Sequence, residues 1–190
     1  MKVSSESIGL YLGFRDKLDQ LIAEAWELYK SQMQCKRGCF SCCENNFHIS
    51  LIEAHVLREA VAGLPADTRE QIRVNIQDPN APLCPLLVDG ACSIYESRPI
   101  LCRIFGFPVS DGQSIATCEL NFTEARDDLF SAKCFNKTAL TENTQLLSRL
   151  YLHEMGGPEL PEGEPSPMFL IQTLLEHEFN QAPVNQETEN

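Results

Sequence analysis

Four cysteines crowd into nine residues of this chain, as Cys35-Lys-Arg-Gly-Cys39-Phe-Ser-Cys42-Cys43. Cys84, Cys92 and Cys102 form a second group, Cys118 lies beyond it, and Cys134 comes later still. Thiolates held this close repel one another unless something positive sits between them, and a metal ion or an iron–sulfur cluster is the usual solution. Whatever this chain folds into must bring irregular, thiol-bearing loops together. No periodic pattern elsewhere imposes so strict a condition.

The remaining composition narrows the setting. A length of 190 residues suits one domain, or one domain with a small appendage, and an apolar share of 43% is enough for a packed core. The formal charge of −12 argues against nucleic acid and against an anionic membrane surface, both of which need a basic face. No apolar run approaches the roughly 20 residues of a spanning helix. The opening Met-Lys-Val-Ser-Ser-Glu-Ser lacks the apolar core of a signal peptide, so a cytoplasmic location is expected. In that reducing setting nine cysteines are read as ligands or reactive thiols before disulfides. Two four-ligand sites would use eight of them.

The pattern along the chain is mainly helical. Apolar residues from Ile8 through Leu18, Ile22 and Tyr29 to Met33 recur at helical spacing and predict one amphipathic helix over residues 5–33. Ser50 with Glu53 forms a capping box for a second helix, which runs to Ala62 before Gly63 and Pro65. A short third helix is expected from Asp67 to Gln77. Residues 78–118 are broken by prolines and glycines, leaving room only for a small hairpin of Leu86–Val88 and Cys92–Tyr95 around Asp89-Gly90.

From Asn121 the spacing of Phe122, Ala125, Leu129, Ala132, Phe135 and Ala139 predicts helix again, continued by Leu146, Leu147, Leu150 and Tyr151. Residues 156–167 hold four prolines and three glycines and read as a linker. Ser166-Pro167 opens a last helix, expected over 168–180, and the polar stretch 181–190 reads as a flexible tail. The expected organisation is a helical cysteine-cluster domain over 1–155, then the linker, the C-terminal helix and the tail.

Each chemical motif has a plainer counterpart. Gaps of two and three residues among Cys35, Cys39 and Cys42 suit zinc and iron–sulfur sites alike. The neighbours Cys42 and Cys43 do not easily place both sulfurs on one ion, so either one serves another site or the centre is polynuclear. Cys35-x3-Cys39-Phe40-x-Cys42 also matches the loop of radical S-adenosylmethionine enzymes. The long preceding helix and the lack of strand–helix units argue against that barrel.

Cys118 can complete a second site, whereas Cys134, set in the expected helix beside Phe135, reads as a small core residue. His48 is a lesser candidate ligand. Arg98 and Arg103 flank Cys102 and either offset thiolate charge or hold an anionic partner, or have a structural role in which Arg98 pairs with Glu96 or caps a backbone turn. No catalytic triad order, phosphate loop or carboxylate pair stands out.

The segment Cys92-Ser-Ile-Tyr-Glu-Ser-Arg98-Pro99-Ile-Leu-Cys102-Arg103 resembles that of the YkgJ-type cysteine-cluster proteins. So does the block of Cys35, Cys39, Cys42 and Cys43, which departs from the family's Cys-x2-Cys-x2-Cys-Cys by one extra residue after Cys35. The resemblance spans about residues 35–105. It implies a domain that chelates zinc or iron. A flagellin lysine-methylating enzyme is similar in its cysteine block, but no cosubstrate-binding signature accompanies that block here.

These readings converge on a mainly α fold with an irregular, metal-stapled cysteine core and at most a small β-hairpin. Cys35, Cys39, Cys42, Cys43, Cys84, Cys92, Cys102 and Cys118 are the expected metal ligands. The cofactor is zinc or an iron–sulfur cluster, in a structural or redox role. One alternative is a cluster-dependent oxidoreductase or a methyltransferase-like group-transfer enzyme, with catalytic residues that the sequence does not name. Another is an interaction module whose C-terminal helix docks on a protein partner.

Overall fold

The computed structural model describes residues 5–36, 38–45, 47–78, 84–123 and 133–180. It is mainly helical, as the periodicity predicts. The helices are α1 (Glu6–Tyr29), α2 (Leu51–Ala62), α3 (Ala66–Gln77), α4 (Ile100–Ile104), α5 (Lys137–Glu154) and α6 (Ile171–Asn180). Between them lie short strands: β1 (His48–Ser50), β2 (Leu87–Val88), β3 (Ala91–Cys92), β4 (Val109–Ser110), β5 (Ile115–Ala116), β6 (Phe135–Asn136) and β7 (Met168–Leu170). No described helix is long and apolar enough to cross a membrane.

Helices α1, α2 and α5 form the scaffold. Ser5 caps α1 by accepting the Ile8 N–H. Glu154, at the last turn of α5, accepts from the Ser7 N–H at 3.0 Å and from its hydroxyl at 2.7 Å, so the two helix ends are fastened together. Tyr11, Leu18, Ile52, Ile100, Ile104 and Tyr151 bury one core between these helices and α4. A second core gathers Leu57 and Val61 of α2, Ile72 of α3, Leu86, Ile94 and Leu175 of α6. A third and smaller core holds Ala25, Tyr29, Met33, Phe107 and Phe122 at the end of α1.

The small strands extend what the sequence suggests. The hairpin β2–β3 forms as expected but is shorter, with Leu87 opposite Cys92. Asp89 and Gly90 both take positive φ, 51° and 72°, as a tight two-residue hairpin requires. Asn75 of α3 clasps this hairpin by donating to the carbonyls of Pro85 and Leu87, each at 3.0 Å. Strand β1 pairs antiparallel with β7, and β4 pairs with both β5 and β6. The fold thus carries more β structure than one hairpin, in two- and three-residue pieces among the described residues.

Three predicted helix limits differ from the structure. Helix α1 ends at Tyr29 rather than residue 33, because Lys30 caps it and the chain turns toward the cysteines. The last helix begins at Ile171, and Met168–Leu170 is strand because it finds β1 as a partner. No helix starts at Asn121: Phe122 has φ 56°, a left-handed conformation that stops one. Residues Ala125, Leu129 and Ala132 of that expected helix lie outside the described residues, as does the tail 181–190. Phe135 stands in a strand, so the next helix starts only at Lys137.

The stretch read as a linker is tied to the scaffold. Arg149 of α5 donates to the carbonyls of Leu160 and Pro161, at 2.6 and 3.0 Å. Ile171 and Leu175 of α6 are buried in this chain's own core, so its apolar face is already covered.

Candidate metal centre

The first four cysteines leave α1 and enter a short 3₁₀ turn, Ser41–Glu44. A 3₁₀ turn advances only three residues per revolution, so Cys42 and Cys43 point in different directions from adjacent positions. Cys43 is buried, while Cys35, Cys39 and Cys42 are half-buried. Among the described residues, which include all nine cysteines, no disulfide forms.

Cys42 donates to its chain neighbour Cys43, and Cys43 to Cys84, so the first cysteine cluster meets the second. Cys84 opens the hairpin, Cys92 closes it, and Cys102 sits in α4. All three pack against the second core. Cys35 packs against the third core, with Cys39 and buried Cys118 near it. Cys42 lies between the two groups and acts electrostatically on Cys35, Cys92 and Cys102.

The thiols are strongly perturbed. Donation to Cys43, then burial, pushes Cys42 far above the ordinary thiol value. Acceptance from Cys42 pulls Cys43 down, but donation to Cys84 and burial outweigh it and carry Cys43 up to about 12. Burial, then the charges of Cys42 and Cys92, raises Cys102. Burial raises Cys92 and Cys35 as well. A bare cluster of this kind resists ionisation, since each new thiolate enters a poorly solvated site beside its neighbours.

Buried polar clamps position the cysteine-bearing elements. Glu53 accepts the Ser50 N–H and hydroxyl, both at 2.8 Å, and also the Ile100 N–H at 2.8 Å. One carboxylate therefore serves the starts of α2 and α4, and fixes Cys102 relative to the scaffold. Arg103 is 5% exposed. It donates to both Asp19 oxygens, at 2.7 and 2.8 Å, to the Arg98 carbonyl at 2.8 Å, and to the Glu96 carbonyl. Its role is to lash the segment before Cys102 onto α1.

Arg98 stacks 3.5 Å over the Tyr95 ring rather than pairing with Glu96. Its charge lowers the cost of ionising Cys42, Cys92 and Cys102. An open depression of about 420 Å³ lies beside Cys92, walled by Glu59, Ala60, Leu64, Ile94 and Tyr95; neither arginine lines it.

Other sequence candidates stand apart. His48 is exposed at the start of β1, and His55 meets the Tyr151 hydroxyl at 3.0 Å. Cys134 lies in an extended segment before β6, not in a helix, and is felt by Tyr29. Sequence reasoning missed Asp19, Asn75, Gly106 and Asn121. Only the capping-box role of Glu53 was legible, and its second role at Ile100 was not. Among the described residues, no three His, Cys, Asp or Glu side chains already enclose a space for an ion. The donor chemistry nevertheless suits a thiophilic metal: soft sulfurs in mutual contact, a nearby cation, and apolar walls.

The family model described as CxxCxxCC, "Putative zinc- or iron-chelating domain", matches residues 34–135. That span takes in every cysteine of the chain. Comparison with curated proteins and with solved structures gives no match.

Proposed function

The chain belongs to the CxxCxxCC family, and from that premise we propose that it holds zinc or iron in one connected thiolate centre of more than one ion. The observation that carries this reading is the position of Cys42, within electrostatic reach of Cys35, Cys43, Cys92 and Cys102. A sulfur between two groups of sulfurs suits a bridging ligand. Cys43, Cys84, Cys92 and Cys102 supply one side, and Cys35, Cys39 and Cys118 the other.

Zinc bound here cross-links the fold, and an iron–sulfur cluster adds one-electron chemistry. The chain's own residues do the rest. Glu53 and Arg103 hold Cys102 in register, Asn75 holds the hairpin between Cys84 and Cys92, and Arg98 offsets thiolate charge. A structural role accounts for the irregular cysteine segments, which have little helical or sheet pairing of their own. Thiolate ligation needs reduced cysteines, which supports a cytoplasmic setting. With the apolar face of α6 covered, a protein partner would meet its polar face.

The test is anaerobic purification followed by metal and sulfide analysis and absorption spectroscopy of the same sample. Two or more zinc ions per chain, or iron with acid-labile sulfide, is expected. Serine at Cys42 should lower metal content on both sides of the centre, and serine at Cys84, Cys92 or Cys102 should lower it and destabilise the fold. A single ion indifferent to Cys35, Cys39 and Cys118 would overturn the connected centre. Iron with sulfide would move the role from structure toward electron transfer.

A further inference from the structure

Asn121 makes three side-chain bonds beside the cysteines, one of them to a sulfur, yet is not itself a ligand type for a thiophilic metal. It is 1% exposed. Its Oδ1 accepts the Gln34 N–H at 2.7 Å. Its Nδ2 donates to the Gly106 carbonyl at 2.9 Å and to Cys35 Sγ at 3.4 Å. The backbone adds two more ties, from the Asn121 N–H to the Cys118 carbonyl and from the Phe122 N–H to the Gln32 carbonyl, each at 3.0 Å.

The geometry points to Asn121 as the positioning residue that holds Cys35 beside Cys118 and directs its sulfur at the metal. This inference rests on the thiolate-centre reading above. An amide is the side chain that performs all three tasks at this length. A carboxylate lacks the donors, an aliphatic residue lacks both functions, and glutamine is one carbon too long. The two backbone bonds would suffice for a structural staple. The third, an N–H aimed at sulfur, supports the thiolate and leaves the rest of the sulfur free for an ion.

Gly106 completes the cradle. It sits at φ 102°, and a Cβ there would meet Cys35 Sγ at 2.8 Å and Asn121 Nδ2 at 3.0 Å. Only glycine lets the loop after α4 approach this pair.

The experiment uses the full chain loaded with cadmium-113. Cross-peaks from the Cys35 β-protons identify an ion on that sulfur. A further cross-peak between that ion and an Asn121 side-chain amide proton is expected, carried through the N–H···S bond. Cadmium on Cys35 without that cross-peak overturns the assignment, and this readout needs no variant.

Asn121→Asp keeps the acceptor for Gln34 and removes both donors. It should weaken cadmium binding about 10- to 100-fold. In a Cys35→Ser background it should add little further loss. Wild-type affinity in Asn121→Asp, or an equal loss in both backgrounds, overturns the positioning role. Failure of the underlying reading looks different: the wild-type chain then takes up no cadmium on Cys35, Cys39 or Cys118, and both ideas fall.

Discussion

The α1–α2–α5 scaffold and the cysteine-bearing segments are held by different forces. The scaffold buries apolar stripes: Tyr11 and Leu18 of α1 meet Ile52 of α2 and Tyr151 of α5, and area removed from water does the holding. The cysteine segments have strands of two residues and a helix of five. There the backbone is held by single polar side chains, buried Glu53, Arg103 and Asn121 and half-buried Asn75, each bonding to two or more groups. Hydrophobic burial is spread over many atoms and tolerates change. A buried polar clamp concentrates the same task in one group and leaves unsatisfied donors when lost. The region that depends on such clamps is also the one with the thiols.

The comparison can be broken first at its apolar side. Leu18 of the scaffold core is 2% exposed, so Leu18→Ala should cost about 2–5 kcal/mol in denaturant titrations, with or without metal. A loss confined to the metal-free form would mean that the scaffold is not independent of the centre.

Glu53→Ala strikes where the regions meet. It leaves the Ser50 and Ile100 N–H groups without their acceptor and should cost about 2–3 kcal/mol, the low end of what two orphaned buried donors cost at about 1–3 kcal/mol each. Metal content should fall with it, because Cys102 follows Ile100 on α4. Full metal loading in a folded Glu53→Ala chain would show that the clamp serves the scaffold alone.

pH separates the regions without a substitution. Every cysteine whose shift is resolved lies above the ordinary 9.0, so the folded metal-free chain keeps its thiol protons longer than the unfolded chain does. Their contribution is fully present below pH 9.0 and is lost as pH rises toward the folded values, about 12 for Cys43. Metal binding expels those protons, so zinc affinity should climb with pH over the neutral range. Opposite slopes are expected: a falling melting temperature of the metal-free chain above pH 9.0, and rising affinity below it. A zinc affinity flat from pH 6 to 8 would remove the thiols from the site.

The smallest effect is expected at Cys134. Serine there should leave the metal-to-protein ratio unchanged, because this thiol stands just before β6, where its charge is felt by Tyr29 of the third core. A drop of one metal equivalent would enlarge the ligand set to nine cysteines.

Local rules made part of this legible. Helical spacing placed α1, α2 and α3, the Ser50–Glu53 box marked the start of α2, and Asp89-Gly90 predicted the hairpin. Each of these rests on residues within one or two turns of each other. The family was legible for a similar reason, since thiols crowd this closely along a chain for few purposes other than chelation.

What escaped was everything that depends on residues far apart. Spacing alone carried Phe122 into a helix. The fold instead gave it a left-handed backbone, because its N–H is taken by Gln32 and Asn121 beside it is committed to Gln34, Gly106 and Cys35. Met168–Leu170 became strand only because β1 offered an edge. Which sulfurs meet is decided in the same way, by Cys84 arriving from a separate segment beside Cys43. The order of residues settles local geometry and donor chemistry, because those are properties of neighbours. Partnership across the chain is settled only when the packed scaffold sets the distances at which a carboxylate, a guanidinium or an amide can reach.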